Sequence, residues 1–327
     1  MPKRILLPLA RRTEPWIERI GARPGAAPVL EPYIGLATSE GLVLRGRVLT
    51  HLRRAMPDAR QSRWVNLRQM ASLFLTDEVA DVEVRAEGAS ARSDAEGYVR
   101  LVVPARPGPW AEVPVEIAGA PGTRTPFPAR VPGPDARWLV VSDIDDTVVE
   151  TGAHSFARNL WTTFTGSALT RRAHADAGRL LGALAEGERN PVFYVSSSPW
   201  NLHDFLGALL ARHGLPRGPM FLRDLSVSEH GIGETHLGHK GAAIDAVLSA
   251  NPALDAWLVG DSGQRDAQVY RDAVLRHPGR VRGVALREPV PGAGADDAEA
   301  MAAIEAAGVP CFHGPSLDGA MRRWGLE

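Results

Sequence analysis

The chain has 327 residues, enough for two domains, and its 44% hydrophobic and 23% charged residues are ordinary values for a globular protein. Wholesale disorder is excluded, and so is a spanning helix, because no apolar stretch approaches ~18 residues. The 37 Lys+Arg and 38 Asp+Glu residues nearly cancel, to a net charge of −1, and we expect no nucleic-acid partner. The single cysteine, Cys311, excludes an intrachain disulfide and, without a recognisable secretory segment, predicts a cytoplasmic location.

The N-terminal part of the chain is basic. Up to position 75 there are thirteen Lys+Arg residues against five acidic ones, and we assign residues 1–29 to a basic segment of their own. Trp64 lies among Arg54, Arg60 and Arg63, a combination that suits the surface of an anionic membrane. We therefore expect peripheral membrane contact here, with a solvated basic face as the alternative.

Residues 30–120 are predicted to form a β domain. Short runs with period-two alternation, at 41–44, 48–49, 82–85, 98–103 and 113–117, are separated by turns, which favours a small antiparallel β-sandwich. The stretch at 80–103 resembles the strand-turn-strand units of transthyretin-like and carboxypeptidase-regulatory-like modules. Five prolines then make 121–136 a predicted linker of extended chain.

From residue 137 to 327 strands and helices alternate. Apolar runs at 138–141, 192–195, 220–222, 256–259 and 281–286 are separated by helical segments at 173–185, 202–212, 241–249 and 266–276, and an alanine-rich helix is predicted at 298–307. Continuous apolar strands that alternate with helices predict a parallel sheet covered on both faces. Ligands of such sheets bind at the carboxyl ends of the strands.

Polar residues stand at three of those strand ends. The first strand runs into Ser142-Asp143-Ile144-Asp145-Asp146-Thr147, the second into Ser196-Ser197-Ser198, and the fourth into Gly260-Asp261, with Asp266 five residues on. Lys240 precedes the fourth strand and is one of only two lysines, the other being Lys3. The compact ammonium of a lysine can approach a phosphate and a carboxylate together.

These parts suffice for transfer of a phosphoryl group through an aspartate. Asp143 is the candidate nucleophile, with Mg²⁺ to screen the repulsion between two anions. Asp145 can protonate the leaving oxygen and later deprotonate water. Asp261 and Asp266 supply hard oxygen ligands for the metal, and Ser196 and Lys240 would hold the phosphoryl oxygens. The Thr147 side chain would form a hydrogen bond with the backbone of the tight turn.

The order of these boxes resembles that of the haloacid dehalogenase superfamily: D-x-D-x-T, a serine after the second strand, a lysine, and G-D-x-x-x-x-D. More closely, SDIDDTVVETG, FYVSSSPWNL, LPRGPMFLRD, GHKGAAI and GDSGQRDAQVY resemble the catalytic domain of App1-type phosphatidate phosphatases, over about residues 137–290. The resemblance implies a haloacid-dehalogenase-like fold, Asp143 as nucleophile, Asp145 as acid and base with its carbonyl on Mg²⁺, and Asp261 as a metal ligand. It also implies phosphatidate as substrate.

Several alternatives stay open. Ser196 is the favoured phosphate-binding serine, but Ser197 or Ser198 could contact the substrate, and Trp200 could form an apolar wall or pack in the core. The boxes are too close together for a large cap domain, so the site could admit a lipid, a phosphometabolite or a phosphoprotein. Asp146 has no assigned role in these motifs, beyond adjusting the local electrostatic field or orienting a neighbouring side chain. A non-catalytic binding protein is the third hypothesis.

Overall fold

A computed structural model describes residues 28–51, 78–120, 122–148, 173–223, 236–263, 265–288 and 294–326. The predicted basic segment and the Trp64 region lie outside these residues, apart from the first residues of β1. Within the described ranges no helix is both long and apolar enough to cross a bilayer.

The first part of the chain forms a seven-stranded sheet. Its strands are β1 Val29–Thr38, β2 Gly41–Leu49, β3 Glu83–Ala86, β4 Ala89–Arg92, β5 Tyr98–Val103, β6 Trp110–Ile117 and β7 Thr125–Arg130. They are hydrogen-bonded in the order β4-β3-β6-β7-β1-β2-β5, and every pair is antiparallel except β1 with β7. The predicted strands are therefore present, in a mixed rather than an antiparallel sheet, and a division into a sandwich stays a prediction.

The proline-rich segment differs from expectation over β7. This strand pairs with β6, where Pro126 lies opposite Pro114, and it pairs with β1 only beyond its prolines, at Ala129 and Arg130. Proline cannot donate to a ladder, but it can occupy strand positions where no donor is needed. The prolines correctly indicated that the segment is extended. The sequence did not predict a strand there, because one of the strands that pair with β7, β1, is distant in sequence.

Burial along β2 explains how this sheet meets the rest of the molecule. β5 alternates between buried and more exposed residues, but almost every residue of β2 is buried. Leu42 and Leu44 face the core of the seven-stranded sheet, whereas Val43 and its neighbour Leu36 belong to the core of the second, parallel sheet. Both faces of β2 are thus covered, and the two sheets share apolar contacts.

The second part of the chain is α/β, as predicted. Six strands, β8 Leu139–Asp143, β9 Val192–Pro199, β10 Met220–Arg223, β11 Ala256–Asp261, β12 Val281–Arg287 and β13 Cys311–Gly314, are all parallel in the order β10-β9-β8-β11-β12-β13. The helices are α1 Ala175–Ala185, α2 His203–Arg212, α3 His236–Ala250, α4 Asp266–Arg276, α5 Ala295–Ala306 and α6 Asp318–Trp324. One core cluster joins the sheet to α3, α4 and α5, and the other joins it to α1, α2 and α6.

The strand order fixes the location of the site. The chain builds β8, β9 and β10 outward on one side, and then crosses to add β11, β12 and β13 on the other. In such doubly wound sheets the crevice for ligands opens where the direction reverses, here between the carboxyl ends of β8 and β11. Asp143 ends β8 and Asp261 ends β11.

A buried ion pair ties α1 to the far end of the sheet. Asp176 accepts hydrogen bonds from Arg287 Nη2 at 2.7 Å, Ser316 Oγ at 2.9 Å and the Leu317 backbone N–H at 2.8 Å. Burial by itself raises the pKa of Asp176, but these donors outweigh burial and lower the pKa to about 2. The carboxylate is therefore favoured by the folded state.

Replacing Asp176 by asparagine should cost about 2 kcal/mol or more of unfolding free energy at pH 7. Because the folded-state pKa is depressed, the stabilisation is complete above the unfolded value near 4 and disappears as the pH falls towards 2. Urea unfolding at pH 7 and pH 3 should show the two proteins converging at low pH. Asp245→Asn, at a half-exposed position where the carboxylate contacts Arg276 and His277, is the matched control, with a cost below about 1 kcal/mol. A gap between Asp176→Asn and wild type that stays constant with pH would contradict the assignment.

Candidate active site at the carboxyl edge of the parallel sheet

The acidic segment after β8 is held in a tight turn. Ile144 and Val148 are fully buried in the core, and the Val148 N–H donates to the Ile144 carbonyl at 3.0 Å. Asp146 has a φ of 57°, in the left-handed region that aspartate tolerates better than most side chains. These two buried apolar side chains thus fix the backbone of the turn, and the carboxylates of Asp143 and Asp145 are buried at the edge of the sheet.

Lys240 stands between two carboxylates. Its Nζ lies 2.7 Å from Asp143 Oδ1 and 2.5 Å from Asp266 Oδ1, and all three side chains are buried. The helix that carries Lys240 was predicted to begin there, but α3 begins four residues earlier, at His236. The lysine is therefore fixed by the second turn of a helix, and the structure brings it to the predicted nucleophile.

The end of β11 supplies the third acidic position. The Asp261 backbone N–H donates to Asp266 Oδ2 at 3.2 Å, and the Gly263 N–H donates to Asp261 Oδ2 at 2.8 Å. A Cβ at Gly260 would lie 2.6 Å from Asp266 Oδ2 and 2.7 Å from the hydroxyl oxygen of Tyr270. Only glycine therefore allows Asp266 and Tyr270 to pack against the strand. Tyr270 was not anticipated; its helical spacing of four from Asp266 was the available signal.

The serine run contacts Asp145. Ser196 Oγ donates to Asp145 Oδ2 at 2.7 Å, and Ser198 Oγ donates to the same oxygen at 3.2 Å. Ser196 Oγ also accepts the backbone N–H of Ser198 at 2.9 Å. Because side chains alternate along a strand, Ser197 lies on the opposite face of β9, so the structure does not bring this predicted substrate-binding residue to Asp145.

Thr147 differs from expectation, whereas Trp200 packs as one of its two alternatives predicted. The hydroxyl of Thr147 is buried and has no hydrogen-bond partner among the described residues, so its predicted bond to the turn backbone is absent. The buried Ile144 and Val148 fix the turn instead. Trp200 lies in a 3₁₀ turn, Trp200–Leu202, and its ring stacks on Tyr33 of β1 with centroids 4.9 Å apart. It contributes to the contact between the two sheets.

The electrostatics of the cluster, among the residues that the structure describes, are those of buried carboxylates crowded around Lys240. Burial, only partly opposed by Lys240, raises the pKa of Asp143 well above its usual value, and burial also raises that of Asp145. Burial and then the charge of Asp266 raise the pKa of Asp261 to about 8. Burial opposes the charged form of Lys240, but Asp143 and Asp266 raise its pKa above the ordinary value. The charge of Asp146 adds to the repulsion, because it raises the pKa of Asp145 and of Asp261.

The carboxylates have the chemistry of a divalent-cation site. One oxygen each from Asp143, Asp261 and Asp266 lies within 4.8 Å of the others. Asp143 Oδ2 and Asp261 Oδ1 are buried and accept no hydrogen bond from the described residues. Hard oxygen donors of this kind suit Mg²⁺. The Asp145 carboxylate is outside this group, consistent with a contribution through its backbone carbonyl alone, which stays a prediction.

The two serine bonds to Asp145 should have unequal effects. Ser196→Ala removes the shorter bond and the acceptor of the Ser198 N–H, so we expect turnover of a phosphomonoester to fall roughly 10- to 100-fold. Ser198→Ala removes only the longer bond and should cost about fivefold or less. Steady-state kinetics of both variants on one substrate test this. A larger loss in Ser198→Ala than in Ser196→Ala would overturn the ranking, and a rise confined to KM would indicate contact with substrate instead.

The fold and the site together define an α/β protein with a buried carboxylate cluster, contacted by a lysine, at the topological switch of a parallel sheet. Residues 138–288 match the family model for the catalytic domain of phosphatidate phosphatase APP1.

Two curated proteins are similar to about half of the chain. Phosphatidate phosphatase APP1 of Saccharomyces cerevisiae is 27% identical over 177 residues, which cover 54% of this chain and 30% of that protein. An uncharacterized protein of Schizosaccharomyces pombe is 26% identical over 167 residues, which cover 50% of this chain and 27% of that protein. The chain thus spans less than a third of the length of either relative.

Proposed function

We propose that this chain is a Mg²⁺-dependent phosphomonoester hydrolase that acts through an aspartyl-phosphate on Asp143, with phosphatidate as its substrate. The observation that carries the proposal is the buried ion pair of Lys240 with Asp143, next to Asp261 and Asp266 and opposite the serine-bonded Asp145. The match to the family model for the App1 catalytic domain supports the choice of phosphatidate, which is dephosphorylated to diacylglycerol.

Asp143 has the surroundings that a carboxylate nucleophile needs. Burial disfavours its ionised form, but Lys240 at 2.7 Å favours it, so that an unsolvated and reactive carboxylate is held next to a cation. A divalent cation held by Asp143, Asp261 and Asp266 would supply the positive charge that screens the attacking carboxylate from the phosphate. Lys240 would also contact the phosphoryl oxygens.

Asp145 is the proposed proton carrier. In the first step an oxygen of Asp143 bonds to phosphorus, the bond from phosphorus to the ester oxygen breaks, and Asp145 gives that oxygen its proton. In the second step Asp145 takes a proton from water, the resulting hydroxide attacks phosphorus, and inorganic phosphate leaves with Asp143 restored. Burial raises the pKa of Asp145, which favours the protonated form for the first step, and Ser196 and Ser198 orient its carboxyl group.

Phosphate release from phosphatidate in mixed detergent micelles, compared with a panel of water-soluble phosphomonoesters, tests the proposal. We expect Mg²⁺-dependent release that EDTA abolishes, with phosphatidate the preferred substrate. Turnover of the water-soluble esters alone would assign a phosphometabolite or phosphoprotein substrate instead. An absence of turnover on every substrate in the presence of Mg²⁺ would overturn the proposed hydrolase.

Membrane contact belongs to the same proposal. The residues predicted to make it, Trp64 with Arg54, Arg60 and Arg63, lie outside the described part of the chain. Truncating the chain before residue 130 would be a poor test, because Leu36 and Val43 belong to the core of the parallel sheet. Binding of Trp64→Ala to vesicles with and without anionic lipid is the better measurement, and we expect weaker binding to the anionic vesicles only.

A further inference from the structure

A second pocket lies where the seven-stranded sheet meets the end of β9. It has a volume of about 230 Å³. We call it the Trp200 pocket, and its principal lining residues are Tyr33, Arg45, Asp94, Tyr98, Arg100 and Trp200. All but Trp200 come from the seven-stranded sheet and its turns, so the pocket exists only where the two sheets meet.

The Trp200 pocket is next to the candidate active site. Trp200 follows Ser198 by two residues, and two residues of extended chain span at most about 7 Å. Ser198 Oγ is 3.2 Å from Asp145 Oδ2. Tyr33 and Trp200 form one wall of the pocket, where their rings stack with an angle of 17° between the ring planes. The pocket and the Asp145 carboxyl group are therefore close enough for one small ligand to contact both.

The pocket contains two arginines without acidic partners. Arg45 Nη2 donates to the carbonyls of Ile34 at 2.9 Å and Met220 at 3.2 Å, while its buried Nε has no hydrogen-bond partner. Within the described part of the chain, no carboxylate forms an ion pair with Arg45 or with Arg100. The carboxylate of Asp94 accepts backbone N–H groups of its own turn, from Glu96 and Tyr98.

The Arg45 guanidinium lies against aromatic rings, and the residue is partly buried. Its central carbon lies 5.6 Å from the ring centroid of Trp200 and 4.7 Å from that of Phe221. Burial, and then the charge of Arg100, lowers the pKa of Arg45 to about 10. A buried cation without a counter-ion is unfavourable, and an incoming anion would offset that cost. Guanidinium groups match phosphate and carboxylate oxygens in a planar, bidentate geometry.

We propose that the Trp200 pocket binds a second anionic group, a phosphate or a carboxylate, which a substrate carries in addition to the phosphate that is hydrolysed. The inference rests on the proposed hydrolase function and extends it. Residues of the seven-stranded sheet then select among water-soluble phosphomonoesters, and those that carry a second anionic group should be preferred over those whose only anionic group is the scissile phosphate.

Direct binding tests the pocket without catalysis. In EDTA the cluster of Asp143, Asp261 and Asp266 lacks a cation and should repel anions, so inorganic pyrophosphate should report on the Trp200 pocket. We expect calorimetry to give one site, weakened at least about tenfold by Arg45→Met and by Arg100→Met. Arg124→Met removes an exposed arginine of the same sheet, paired with Glu116, and should leave the affinity unchanged. Equal affinity in all four proteins, or no binding to wild type, would overturn the proposal.

Steady-state kinetics show whether the anionic group that binds in the Trp200 pocket is part of the substrate or a free anion. Alkanediol bisphosphates of two to six carbons are compared with alkyl monophosphates of the same length. At least one bisphosphate should have a kcat/KM about tenfold above its monophosphate, and that ratio should approach one in Arg100→Met but not in Arg124→Met. A ratio near one for every length in wild type refutes the inference while the hydrolase stands. If no ester at all is hydrolysed, the proposed function fails, and pyrophosphate binding still decides whether the pocket takes anions.

Discussion

Replacing Asp143 by asparagine should reduce phosphate release by a factor on the order of 10⁴ or more, because an amide cannot take the place of the attacking carboxylate. The fold should survive the change. Asparagine has nearly the same shape, and Lys240 keeps its contact with Asp266 at 2.5 Å. Phosphate release from phosphatidate and from p-nitrophenyl phosphate measures the effect. Asp245→Asn, at a half-exposed position on α3, is the control for the chemical change itself and should retain activity.

Trapping the phosphorylated protein sharpens this prediction, because it distinguishes Asp143 from Asp145. The leaving group of p-nitrophenyl phosphate needs no proton, so Asp145→Asn should still be phosphorylated by it but should lose the phosphate slowly. Acid quenching with labelled substrate should therefore detect a phosphoprotein in Asp145→Asn and none in Asp143→Asn. The opposite pattern, with label on Asp143→Asn and none on Asp145→Asn, would make Asp145 the nucleophile.

Replacing Lys240 by methionine should lower both activity and stability. Loss of the ammonium should reduce turnover by roughly 10²- to 10³-fold, since it removes a cation aimed at the transferred phosphate. The buried carboxylates of Asp143 and Asp266 would also lose their common partner, at a cost of about 3–5 kcal/mol of unfolding free energy in EDTA. Added Mg²⁺ should recover part of that loss, so it should raise the unfolding midpoint more in Lys240→Met than in wild type.

Lys240→Arg is the matched control for charge. The chain has 37 basic residues and uses lysine at only two of them, so arginine was the readily available alternative at this position. A planar guanidinium is larger than an ammonium and should not fit between carboxylates 2.7 Å and 2.5 Å away. We expect Lys240→Arg to remain far below wild-type turnover. Full activity in this variant would mean that positive charge alone is required.

The sequence by itself predicted the alternation of strands and helices in the second half of the chain. It also predicted which aspartates form the acidic cluster. The apolar runs that became β8, β9, β11 and β12 are almost continuous, because parallel strands are buried on both faces. Asp143 and Asp261 were recognisable because acidic residues directly after such runs are costly without a cation. Local periodicity and local chemistry carry this information.

Only the tertiary structure decided which side chains meet. The placement of β8 beside β11 brings Asp143 to Asp261, and it depends on a crossover that no local pattern encodes. The same holds for β7, for the hydrogen bonds of Ser196 and Ser198 to Asp145, and for the position of Arg45 beside Trp200. Each of these features joins residues far apart in the chain, and its stability comes from packing and electrostatics that exist only after the two sheets have come together.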